Sequence, residues 1–196
     1  MKKLSESFAD KTVNPELLPI IIEKLKNALK EEFNAWYGYI IVKEYLCGLN
    51  RKDVEKFYDD TAKDELEDHG YWLMKRINEL GGIIEDIANS PASWLTAKHT
   101  YISPNWVSKY DKSKGIENDN LVVNIKDSIE INIKNELGAI ETYNEIIDLA
   151  KQANDYITER KCKEILADEQ EHLQELEEFL DDIISNNNYT DTKLAN

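Results

Sequence analysis

Apolar residues recur at steps of three and four along four long stretches of the chain, the repeat of amphipathic helices. The first opens at NPELLP, where Asn14 can cap and Pro15 suits a first helical position, and spans about 15–47 before breaking at CGLN. The second spans about 53–80 and stops at Gly81-Gly82. The third covers about 120–152 and the fourth 155–184, after which SNNNYTDTKLAN reads as a frayed polar tail over 185–196. Between the second and third lies 83–119, with two of the four prolines and two of the four tryptophans. This stretch reads as a long crossover with a short helix after Ser90-Pro91. The expected fold is one all-α domain over residues 1–196: two antiparallel helical hairpins joined by one crossover, a four-helix bundle.

Three glutamates interrupt this pattern where it demands core, and spacing ties a fourth, Glu65, to them. On the first helix the apolar seam reads Leu18, Ile22, Leu25, Leu29, then Glu32, then Trp36 and Tyr39. On the third it reads Val122, Ile129, Ile133, then Glu136, then Ile140 and Tyr143. On the fourth it reads Cys162, Ile165, then Glu169, His172, Leu176 and Leu180. EFNAWYGY (32–39) repeats in ELGAIETY (136–143) as E-[FL]-x-A-x-x-x-Y, and each copy is followed after a turn by Asp-Glu, at Asp64-Glu65 and Asp168-Glu169. Glu32 to Glu65 is 33 residues, and so is Glu136 to Glu169, with both midpoints inside predicted turns. Each hairpin therefore carries two glutamates side by side, roughly 25 Å from its turn at 1.5 Å of rise per residue.

Four carboxylates buried together are prohibitive unless something neutralises them. No lysine or arginine falls at the same height on these seams. Two divalent cations, each also taking one imidazole, would balance four carboxylates. His172 stands three residues after Glu169 in DEQEH, and His69 four after Glu65 in DELEDH, where Asp68 holds the third place. The competing reading is a metal-free helical interaction module whose glutamates are protonated or turned outward.

Composition narrows the field. With 39 acidic and 24 basic residues the formal net charge is −15, which argues against direct nucleic-acid binding; Lys2, Lys3 and Lys11 do not reverse it. No apolar run is long enough to span a bilayer, and MKKLSESFAD lacks the apolar segment of a secretory signal, so a cytoplasmic protein is expected. Cys47 and Cys162 fall toward opposite ends of the bundle and are expected as free thiols.

The paired glutamates and E-x-x-H resemble the ferritin-like superfamily of di-metal carboxylate bundles, and within it the non-haem bacterioferritin and Dps-like mini-ferritins. The resemblance covers about residues 17–184 apart from the crossover. It implies Glu32 and Glu136 as terminal ligands, Glu65 and Glu169 as bridges between two irons, and His172 as a further ligand. Tyr39 becomes the hydrogen-bonding or redox residue beside them, with Tyr143 as its counterpart. Counting forward from Glu65, the family's histidine falls at Asp68; counting back from RINELGG it falls at His69. One inserted residue, accommodated as a π-bulge, reconciles the two counts and favours His69 over Asp68.

Leu66 stands where haem-binding bacterioferritins carry methionine, so haem is not expected, and no Cys-x-x-Cys module marks a rubrerythrin. The resemblance implies a ferroxidase that oxidises Fe(II) with hydrogen peroxide or dioxygen and stores iron in a homo-oligomeric shell, for instance one of twelve subunits. A second reading is a dinuclear enzyme without storage, such as a manganese catalase or di-iron oxygenase, with Trp94, His99, Tyr101 and Trp106 of the crossover walling a pocket. Manganese and iron accept nearly the same ligands, so the residues do not choose between them. On its own, His99 reads as a loop residue.

Overall fold

The computed structural model describes residues 12–48, 50–88, 96–108 and 121–194. Helix α1 (Leu18–Tyr45) starts three residues later than the sequence pattern indicates. Asn14 instead closes a separate turn, its side chain accepting from the Glu16 N–H at 3.0 Å, and Pro19 occupies the first turn of the helix. The second long stretch is α2 (Arg51–Lys63), a π-helical segment (Asp64–Gly70) and α3 (Tyr71–Glu79). It stops where Gly81 takes φ +82°, a left-handed conformation suited to glycine, and the Gly82 N–H bonds back to the Ile77 carbonyl at 2.8 Å.

A short helix α4 (Glu85–Ala88) follows. It precedes Ser90-Pro91; the short helix expected after that pair lies outside the described residues, as does Trp94. Strand β1 (Leu46–Cys47) pairs in parallel with β3 (Leu121–Asn124), which pairs antiparallel with β2 (Trp106–Ser108). This small sheet delays the third long helix, α5 (Ile125–Gln152), from about residue 120 to 125. The Val122-Val123 pair suits a strand, and Asn124 caps the helix through the N–H groups of Lys126 and Asp127.

Helix α6 (Tyr156–Leu194) continues through the expected tail. No glycine or proline follows residue 138, so nothing interrupts the backbone ladder, and polar side chains alone do not end a helix. Asp155 caps its start, accepting from the Thr158 N–H at 3.1 Å and its hydroxyl at 2.6 Å. The same carboxylate takes the Arg76 guanidinium at 2.6 Å, a buried pair that ties α3 to the second hairpin.

The bundle interior holds two apolar clusters. One gathers Leu25, Leu29, Leu73, Ile77, Ile146 and Ile165; the other gathers Tyr39, Val42, Val54, Tyr58, Ile129 and Leu176. On each long helix the interrupting glutamates and histidines fall between residues of the two clusters, so a polar layer separates two oily ends.

The crossover segment 96–102 passes over α1 and α5 at the height of this layer. Its backbone is stapled down: Lys98 N–H to Asn27 and His99 N–H to Glu31, both at 2.8 Å, and Ile102 N–H to Asn135 at 2.9 Å. Two helix glycines receive its rings. A Cβ on Gly38 would stand 2.4 Å from the Tyr101 ring, and one on Gly138 would stand 3.0 Å from His99. Glycine inside a helix costs about 1 kcal/mol against alanine, and here the missing side chains let the crossover lie close.

Candidate metal centre

The π-helical segment decides which way DELEDH points. Its wider turn holds more than four residues per revolution, so residues four apart stack, and those three apart do not. Glu65 and His69 are consequently both buried, while Asp68 is exposed and pairs with Lys161 at 2.9 Å. The structure thus brings His69, and not Asp68, to the seam glutamates.

All six residues singled out by the seam and the E-x-x-H spacing converge. His69 Nδ1 lies 3.5 Å from Glu32, 3.4 Å from Glu65 and 3.3 Å from Glu169. His172 Nδ1 lies 3.4 Å from Glu169 and 4.0 Å from Glu65. One ligand-type atom from each of Glu32, Glu65, His69 and Glu169 falls within 4.8 Å of the others, and the same holds for Glu65, Glu136, Glu169 and His172. The two sets share Glu65 and Glu169. His69 Nδ1 and Glu169 Oε1 are buried without a hydrogen-bond partner, an arrangement that suits atoms meant for a cation.

Around this layer the duplicated motif produces an exchange between hairpins. The Tyr39 hydroxyl on α1 donates to Glu136 on α5, and the Tyr143 hydroxyl on α5 donates to Glu32 on α1. The outer ring nitrogens follow the same rule. His69 Nε2 lies 3.3 Å from Asp168 and His172 Nε2 lies 3.6 Å from Asp64. Sequence reasoning gave these two aspartates no role. Their signal was the repeated Asp-Glu pair, but both side chains are substantially exposed and break no hydrophobic pattern.

Without a cation the layer neutralises itself with protons. Burial, then the neighbouring carboxylates Glu169 and Glu32, holds the Glu65 carboxyl well above its ordinary range, and burial beside Glu169 does the same for Glu136. Burial pulls the His172 imidazole down, but Asp64 and Glu169 outweigh it and hold it at about 11. His69 is likewise raised, against its burial, by Asp168, Glu169, Glu32 and Glu65. Glu169 is lowered despite its burial, because the imidazoles of His172 and His69 lie against it. Deprotonated imidazoles and carboxylates are the forms that metals bind, so cations would replace protons here.

A cavity of about 250 Å³ opens on the layer from the crossover side, reaching Glu32, Glu65 and Glu136 beneath His99, Tyr101 and Ile102. His99, read from sequence as a loop residue, belongs to this roof; of Trp106 only the backbone is described. On another face a cleft lined by Asp53, Asp60, Asp64, Asp68 and Glu175 leads to His172. Cys47 and Cys162 are free thiols. Among the described residues no helix is long and apolar enough to cross a membrane.

Comparison with known proteins agrees with this architecture. The bacterioferritin-related protein of Bacteroides fragilis, a dodecameric thioferritin, superposes with a TM-score of 0.74 at 27% identity, covering 91% of this chain and 93% of its own. Dps from Thermosynechococcus elongatus superposes at 0.69 with 19% identity, covering 84% and 92%. A ferritin-like, diiron-carboxylate protein from Bacillus anthracis superposes at 0.60 with 22% identity, covering 84% and 97%. No curated protein sequence matches the chain. A model of the ferritin-like domain matches residues 22–185, which is most of the sequence. The chain belongs to the ferritin-like family, as a four-helix bundle of that fold with two clustered sets of carboxylates and imidazoles at its centre.

Proposed function

We propose that this protein is a di-iron ferroxidase that oxidises Fe(II) with hydrogen peroxide or dioxygen, for iron storage and protection from oxidative damage. The carrying observation is the pair of four-residue ligand sets that share Glu65 and Glu169. In this reading Glu32 and His69 complete one iron, Glu136 and His172 complete the other, and Glu65 and Glu169 bridge them. Two irons give up one electron each, so the oxidant is reduced by a pair. Tyr39 and Tyr143 orient the terminal glutamates, and Asp64 and Asp168 hold the imidazoles with their ligating nitrogens inward. The acidic cleft beside His172 supplies a field that draws cations in. Haem has no part in this scheme. The dodecameric state of the Bacteroides fragilis relative supports a homo-oligomeric shell of twelve, in which Fe(III) collects as mineral.

A dinuclear enzyme without storage is the second reading, favoured by the roofed cavity. Manganese would occupy the same ligands. The two readings part on loading. Anaerobic protein is given a large excess of Fe(II), then peroxide, and the iron that co-migrates with a high-mass species is counted. Iron far beyond two per chain supports the storage ferroxidase. Iron capped at two per chain supports the second reading, and none bound would overturn both.

A further inference from the structure

The cavity over the site is larger than dioxygen or hydrogen peroxide requires. It measures about 250 Å³. A water molecule claims about 30 Å³ of liquid, and pockets for small organic molecules begin near 300 Å³. Its lining is specific. Glu32, Glu65 and Glu136 face it, and Ala35 and Ala139 flank them. These are the alanines of the duplicated motif, each one helical turn beyond its glutamate, so both copies keep a small side chain where leucine would occupy space.

The polar groups favour a neutral occupant. Glu31 joins the carboxyls of the lining, Lys98 is already held by Glu141 at 2.8 Å and Glu145 at 2.7 Å, and Lys134 borders the cavity as well, so acids and bases share the wall and neither sign is concentrated for a charged occupant. A neutral molecule with oxygen at one end and a compact apolar body at the other matches these walls.

We infer that the cavity admits organic hydroperoxides, ROOH with a compact apolar R group, as oxidants of Fe(II); the inference rests on the ferroxidase reading. The oxygens face Glu32, Glu65 and Glu136, and R lies against Ala35, Ala139 and Ile102. The reaction balances: two Fe(II) become two Fe(III), the O–O bond takes up the two electrons and breaks, and two protons complete the alcohol ROH and water. Because both electrons arrive together, no alkoxyl radical is released.

The test uses the full-length protein loaded anaerobically with Fe(II) and mixed with hydrogen peroxide, tert-butyl hydroperoxide or cumene hydroperoxide. Stopped-flow absorbance reads Fe(III), and chromatography reads products. Both organic hydroperoxides should act faster than on free Fe(II) and yield the alcohols, without the acetone or acetophenone that radical fragmentation gives. Ala139→Leu should lower the rate ratio of cumene hydroperoxide to hydrogen peroxide by about tenfold, the scale of a few methylenes in an apolar pocket. Ala35→Val fills the opposite wall and keeps the test decisive where the first variant does not fold. Independently of turnover, cumyl alcohol should give a saturation-transfer NMR signal with the metal-free protein that the filled variants lose.

Hydrogen peroxide acting while both organic hydroperoxides do not would overturn the inference and leave the ferroxidase reading intact. If none of the three acts, the inference falls, and the ferroxidase reading falls with it where dioxygen fails as well. Organic hydroperoxide rates undiminished in both filled variants, with no cumyl alcohol signal, would overturn the assignment to this cavity.

Discussion

Asp64 and Asp168 each sit one residue before a buried glutamate and reach across to the other hairpin's histidine. An imidazole whose outer nitrogen is held by a carboxylate has its tautomer and ring angle fixed, and losing that partner typically costs about 10–100-fold in metal affinity. Asp168→Ala should therefore weaken binding at the His69 side by about that factor while the His172 side keeps its affinity. Competitive titration with Co(II), followed by its visible spectrum, separates the two; equal weakening of both would refute the assignment. The seam glutamates were legible in the sequence because three break an apolar repeat and spacing ties Glu65 to them. The aspartates break nothing. They occupy a half-exposed shoulder where an acid is unremarkable, and only the folded geometry gives them partners.

The π-helical segment is the element in which the two hairpins differ most. It absorbs one residue more than the corresponding turn of α6, leaving RINELGG in register with the rest of the bundle. Deleting Asp68 should restore a continuous α-helix reading DELEH, with Glu65 and the histidine three apart as in DEQEH. The shortened protein is expected to fold and to bind two Co(II) per chain, losing only the exposed Asp68–Lys161 pair. Failure to bind, with helicity unchanged, would show that the bulge itself shapes the site. The Arg76–Asp155 pair makes a different demand. Arg76→Met leaves a buried carboxylate uncompensated, which costs about 3–5 kcal/mol and should be visible in urea unfolding. Helices of this kind were readable from periodicity, and their ends were not. LVVN (121–124) reads equally as a helix start or a strand, and pairing with Trp106–Ser108 and with Leu46 and Cys47, about 75 positions away in the chain, settles it.

For the molecule as a whole, the protonated layer makes stability depend on pH in an unusual direction. Glu65, Glu136, His69 and His172 all have raised values in the fold. Each stabilises the metal-free protein below its unfolded value and loses that contribution as pH rises toward the folded one, about 11 for His172. Glu169, which is lowered, gives its full contribution above the ordinary glutamate range of about 4.3 and adds no slope beyond it. Metal-free protein should therefore melt higher at pH 5 than at pH 9. Zn(II)-loaded protein should show the opposite slope, because metal binding releases the same protons. A metal-free melting temperature that rises across this window would contradict the charge state assigned to the layer. The exchange of tyrosine hydroxyls between α1 and α5 has a consequence for the growing chain. Glu32 is positioned by Tyr143 and Glu136 by Tyr39, so each hairpin's seam glutamate is held by a residue of the other, and the proposed assignment pairs Glu65 with Glu169 across the bundle. A nascent polypeptide that has emerged only as far as the crossover holds Glu32, Glu65 and His69 but lacks Glu169 and the Tyr143 hydroxyl. On the proposed assignment it cannot retain iron, so reactive metal is taken up only by a chain whose synthesis has passed residue 172.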